Sequence, residues 1–128
     1  MDGIKLELSK VIWPLDLVFG NLRRHTEGRR FIAGGDLNAA LLFDEVYWPR
    51  GNAEWFGRVG AAGWVDCRAR FYDDEQQTFF RKGTGQYQLD HLFVDQNSAA
   101  ALLSFTVLDG AESLKLSDHA PIQVGLDV

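Results

Sequence analysis

The stretch Gln88-Leu89-Asp90-His91-Leu92-Phe93-Val94 constrains this chain more than any other. In an extended backbone, Leu89, His91 and Phe93 share one face and Asp90, Leu92 and Val94 the other, because strand side chains alternate. Both faces carry apolar residues, so residues 87 to 94 read as a strand covered on both sides and central in its sheet. Asp90 inside such a strand is costly unless it is paired. His119, within Ser117-Asp118-His119-Ala120-Pro121, is the economical partner. An imidazole that gives one nitrogen to a carboxylate keeps its other nitrogen for acid/base or phosphate work. In the plainer alternative, Asp90 caps a turn and His119 is a satisfied surface residue.

A second polar stretch, Gly34-Gly35-Asp36-Leu37-Asn38-Ala39, follows the apolar run Phe31-Ile32-Ala33. Glycine turns the backbone without a Cβ penalty, and two-residue spacing would send Asp36 and Asn38 out on one side of a strand end at residues 30 to 34. A simple turn and a functional site both fit this pattern.

The remaining elements follow from periodicity. Pro14 opens a helix whose stripe is Leu15, Val18 and Leu22, with Gly28 as its stop. Residues 40 to 51 read as a loop with a short helical turn. Asn52 then reads as the N-cap of a helix facing the core with Trp55, Val59 and Ala62. Trp64-Val65-Asp66-Cys67 begins a short strand, and residues 71 to 85 read as an exposed connection or hairpin. Residues 102 to 108 and the alternating Ile122, Val124, Leu126 and Val128 are further strands. A loosely alternating start, Ile4, Leu6 and Leu8, allows one more.

A length of 128 residues fits a single domain, residues 1–128, able to bury close to ~70% of its unfolded surface. Hydrophobic content of 46% excludes the disordered class. Cys67 is the only cysteine and no apolar run reaches membrane-spanning length, so a reducing, cytoplasmic setting without membrane contact is expected. A net charge of −5 disfavours non-specific binding to nucleic acid, which depends on many basic contacts to phosphate. Local basic patches stay open: Arg23, Arg24, Arg29 and Arg30, or Arg68, Arg70, Arg81 and Lys82. Tyr47, Trp48 and Trp55 fill the core or stack on a base.

Taken in order, Gly-Gly-Asp-Leu-Asn (34–38), Gly-Trp-Val-Asp (63–66), Leu-Asp-His-Leu-Phe-Val (89–94) and Ser-Asp-His-Ala-Pro-Ile (117–122) resemble the C-terminal half of the endonuclease/exonuclease/phosphatase superfamily. These are deoxyribonuclease-I-like, metal-dependent phosphohydrolases. The resemblance implies an α/β (α+β-like) fold, a mixed β-sheet with helices on one face, forming half of a two-sheet sandwich. It also implies roles. Asp36 would orient or deprotonate the attacking water, and Asn38 would hydrogen-bond a phosphate oxygen. Asp90 would orient His119, which would bind the scissile phosphate, and Asp118 would lie near the metal, directly or through water. The implied cofactor is Mg²⁺ or Mn²⁺.

The family's N-terminal half, with its metal-binding Glu, has no counterpart in the sequence; Glu7, in Lys5-Leu6-Glu7-Leu8-Ser9, does not match that motif. Three functions follow. The first is a half-domain with an incomplete phosphate site, weak or inactive alone. The second is an active Mg²⁺-dependent phosphodiesterase or nuclease, completed by homodimerisation through the exposed sheet face or by a separate N-terminal half. The third is a non-catalytic anion-binding or adaptor module.

Overall fold

The computed structural model describes residues 14–47 and 51–127. The expected opening strand, Glu7, Trp48 and Val128 lie outside these residues. Five α-helices, a 3-10 turn at Arg68–Arg70 and five strands are present among those described: α1 Pro14–Thr26, β1 Ile32–Asp36, α2 Phe43–Val46, α3 Asn52–Ala61, β2 Val65–Asp66, β3 Asp90–Val94, α4 Gln96–Ala99, β4 Leu102–Val107, α5 Ala111–Leu116 and β5 Ile122–Leu126. This is the expected α/β class. β3 is central, in the order β1-β3-β2, and β4 pairs with β5 in a second sheet. All these pairings are antiparallel.

β3 is covered on both sides by different layers. On one face Phe93 joins Phe19 of α1, Trp55 and Val59 of α3, and Trp64 in one apolar cluster. On the other, Val94 and Leu92 meet Cys67, Ala99, Phe105, Ile122 and Val124. The order is helices, three-stranded sheet, then the β4–β5 pair, so β4–β5 covers the sheet face that a half-domain was expected to leave open. None of the described helices is long and apolar enough to cross a membrane.

Three local expectations are corrected. The apolar stripe of α1 is Leu15 and Phe19, while Val18 and Leu22 are exposed. Phe19 dominates because its ring packs edge-on against Trp64 at 4.8 Å, and aromatic burial outweighs that of an aliphatic neighbour. Asn52 is the first residue of α3 and does not cap it. Asp44 does so from α2, accepting the N–H groups of Gly51 (3.0 Å), Asn52 (2.9 Å) and Ala53 (2.8 Å). Asn52 is turned to the Ala40 N–H instead, at 3.1 Å.

The third correction concerns the glycine pair. β1 runs two residues further than expected, through Gly34 and Gly35 to Asp36. A methyl group on Gly34 would lie 1.9 Å from the His91 carbonyl oxygen. Gly34 is therefore needed for close approach of β1 to β3 rather than for a turn. The chain turns later, at Asn38, whose φ is +49°.

Candidate active site

β1 and β3 pair in register from Ile32 with Val94 to Asp36 with Asp90. The last rung thus sets two carboxylates opposite each other, an arrangement that is unfavourable without a cation. His119 supplies it. Its Nδ1–H donates to Asp90 Oδ2 at 2.8 Å, the contact expected from sequence, and its Nε2 lies 3.7 Å from Asp36 Oδ2. The Asp90 hydrogen bond raises the His119 pKa above its usual 6.5; burial opposes this, and the charges of Asp90, Asp36 and Asp118 add to the rise. Asp90 is the more enclosed carboxylate, with a side chain 15% exposed, whereas that of Asp36 is 52% exposed and opens the site to solvent.

Asp36 divides its two oxygens. Oδ1 accepts the Asn38 N–H at 2.9 Å, an Asx turn that carries the chain into its positive-φ residue, and Oδ2 faces His119. The stretch is therefore a turn and part of a polar cluster at once. One ligand atom each from Asp36, Asp90 and His119 lies within 4.8 Å of the others, a group able to hold a cation. Asn38 and Asp118 are exposed and stand outside it. Asn38 is exposed two residues past Asp36, and Asp118 adds negative charge near His119.

Residues 71 to 85 are more than an exposed connection. Thr78 is fully buried, and its Oγ1 accepts the N–H groups of Leu89 (3.0 Å) and Asp90 (3.2 Å) at the entrance to β3. Phe79 forms a β-bridge with His119, the rings of the two residues 5.1 Å apart. The Phe80 N–H donates to the Asp118 carbonyl (2.7 Å) and the Ala120 N–H to that of Thr78 (2.8 Å). His119 is thus held by backbone on both sides. The apolar pair Phe79-Phe80 after Thr78 was the sequence signal for this segment.

A second buried network fixes the turn after Asp36. His91, 2% exposed, donates from Nε2 to the Ala39 carbonyl at 2.7 Å, which leaves Nδ1 to accept from the Gln88 amide at 3.3 Å. Gln88 also donates to the Asp90 carbonyl (3.0 Å) and accepts the Gln76 N–H (2.8 Å). Both strand ends bearing the carboxylates are therefore tied into the interior.

Two layers of sheet behind a helical layer, with this acid-histidine-acid corner at one strand end, define the fold as the endonuclease/exonuclease/phosphatase type, deoxyribonuclease-I-like, in part. Two solved structures from Neisseria carry that likeness. The 3' phosphatase NExo bound to product DNA hairpin matches at 22% identity and a TM-score of 0.66, over 84% of this chain and 49% of that one. The 3'-5' exonuclease NExo from Neisseria meningitidis matches at 22% identity and 0.64, over 82% of this chain and 48% of that one. The chain therefore spans about half the length of both. No family profile and no curated protein matches the sequence.

Proposed function

We propose that this chain carries the phosphate-facing part of a metal-assisted phosphoesterase cleft, weak or inactive until a second wall completes it. The observation that supports this best is His119, placed between the carboxylates of Asp90 and Asp36 at an open strand end. In this reading Asp90 orients the imidazole and stabilises its charged form. The Nε2–H of His119 meets a non-bridging phosphate oxygen as negative charge grows. Asp36 orients or deprotonates the attacking water, the Asn38 amide donates to the phosphate, and Asp118 lies close by. Two carboxylates suit a divalent cation that keeps several waters, and Asp36 and Asp90 would hold Mg²⁺ or Mn²⁺ while the Nε2–H of His119 stays with the phosphate. When bound, the ion would neutralise phosphate charge.

The match to half the length of NExo supports the need for a second wall. A second copy of the chain or a separate N-terminal half would supply it. The net charge of −5 favours a small phosphoester over duplex DNA. A cytoplasmic setting suits the free, buried thiol of Cys67.

The experiment pairs binding with turnover. Imidazole NMR signals of His119 should shift saturably with dimethyl phosphate in Mg²⁺, and the response should weaken in Asp36→Asn. Hydrolysis of a generic phosphodiester or DNA by the chain alone should stay at the level of His119→Ala. No phosphate response would overturn the site. Strong metal-dependent hydrolysis, lost in both His119→Ala and Asp36→Asn, would overturn the incomplete half; light scattering of the active sample then assigns a site completed by a second copy if it is a dimer and a self-sufficient phosphodiesterase if it is a monomer.

A further inference from the structure

Arg23 and Arg24 end α1, and Arg29 and Arg30 lie in the loop that follows it. All four line one open cleft of about 670 Å³. Its wall includes Phe31 and Trp64, whose rings are 4.6 Å apart. The cleft lies beside the Ile32 and Val94 end of the β1–β3 ladder, and the Asp36 and Asp90 rung is at the other. The four residue steps from Ile32 to Asp36, at about 3.3 Å each, separate the two by about 13 Å. The cleft is not an extension of the histidine site.

Its charge balance is unusual for this chain. Glu27 and Asp95 are the two acidic residues in the lining. Asp95 is already committed, accepting the N–H groups of Phe31 (2.9 Å) and Ser98 (3.0 Å). Burial pushes its carboxyl up, but the hydrogen bonds from Ser98 and Phe31 prevail and hold it at about 2. Arg58 is paired with Asp16 at 3.0 Å and buried Arg68 with Asp66 at 3.3 Å, while none of the four cleft arginines has such a carboxylate partner among the described residues. Arg23 rests over the Phe19 ring at 5.8 Å and Arg24 donates to Asn21. The negative end of α1 accounts for cations in its last turn. It does not account for Arg29 and Arg30, which lie beyond the helix.

We infer that this cleft binds a phosphate-rich anion at a site separate from Asp36, Asp90 and His119. Guanidinium groups recognise phosphate through paired, planar N–H donors. A concave surface lined by one sign of charge concentrates its field, and the volume falls within the ~300–1,000 Å³ of small-ligand cavities. The phosphate run is that of a free oligophosphate or of a single-stranded nucleic acid.

Calorimetric titrations with sodium tripolyphosphate and with a short single-stranded oligonucleotide separate these sources. The chain should bind at least one probe saturably at low salt. Binding should weaken about tenfold or more in Arg29→Gln/Arg30→Gln, given the strength of charge-assisted hydrogen bonds. It should persist in Arg70→Gln/Arg81→Gln, which removes the same charge from exposed sites elsewhere. Tripolyphosphate alone binding assigns a free anion, and the oligonucleotide binding as well assigns a strand. No saturable binding of either probe, undiminished binding in Arg29→Gln/Arg30→Gln, or equal loss in both double variants overturns the site.

Discussion

Asp90→Ala tests the electrostatic logic of the corner most directly. In the native protein the Asp90 carboxylate accepts the His119 Nδ1–H at 2.8 Å, and the two side chains are 15% and 28% exposed. A hydrogen bond with a charged partner contributes about 1.5–3 kcal/mol, and water around the partly open imidazole places this one near the lower end, about 1.5 kcal/mol. The sign of its pH dependence follows from the raised His119 pKa. That stabilisation is fully present below the unfolded value of 6.5 and is lost as pH rises through the higher folded value. Once His119 is neutral, Asp90 faces Asp36 uncompensated, so its removal then relieves repulsion. Urea unfolding should therefore show a cost of about 1.5 kcal/mol at about pH 6 that shrinks as pH rises through the raised His119 value. Asp90→Asn, which keeps an acceptor but loses the charge, should fall between wild type and Asp90→Ala at about pH 6. NMR titration should find wild-type His119 above 6.5 and move it down in either variant. A cost that is constant or grows with pH, or a wild-type imidazole at or below 6.5, would refute the reasoning.

Three further outcomes are expected. Gly34→Ala should destabilise by about 3 kcal/mol or more, because its methyl group meets backbone that cannot yield; Gly35→Ala, strained by a φ of +136° but with open space at its Cβ position, should cost less, and comparing urea midpoints decides this. Asp44→Ala should cost about 1–2 kcal/mol at neutral pH through loss of the α3 cap. Burial pushes the Asp44 carboxyl up, but hydrogen bonds from Ala53, Gly51 and Asn52 leave it below 3.8, so the cost should vanish as acid unfolding conditions pass through that lowered value. Light scattering at micromolar concentration should return twice the 14.4 kDa chain mass if a second copy forms the missing wall, and a monomer would remove the homodimer from the proposal.

The contact between Asp90 and His119 was legible because burial leaves a carboxylate few options. A strand apolar on both faces had to be central, and one nearby motif offered an imidazole. What stayed hidden depends on neighbours distant in sequence. Phe19 and Val18 both fit a helical stripe, and only Trp55 and Trp64 decide which turns inward. Gly34 fits a turn as well as a close approach, until the His91 carbonyl occupies the space a methyl would need. The α3 cap comes from Asp44, eight residues before Asn52, so local capping preferences pointed to the wrong residue. Thr78 is an ordinary hydroxyl in an acidic stretch; its burial follows from β3 and the His119 segment closing around it.

These hidden contacts explain how an unfavourable rung persists. The β1–β3 register could end one rung earlier and separate Asp36 from Asp90, yet it continues to that pair. Three anchors enforce it: Gly34 lets the strands approach closely, His91 and Gln88 tie the Ala39 turn to β3, and Thr78 holds the N–H of Asp90. Each draws on interior packing or a buried hydrogen bond, terms that do not change with the charge of the rung. The resulting repulsion must be met by a cation, and the Phe79 bridge delivers His119 at the required height. An anion arriving at the opening would meet the imidazole on the side of Asp36, the weaker and more exposed of its two partners. In the proposed function, Asp36 thus yields its place beside Nε2 to a phosphate without breaking the Asp90 bond that orients the ring.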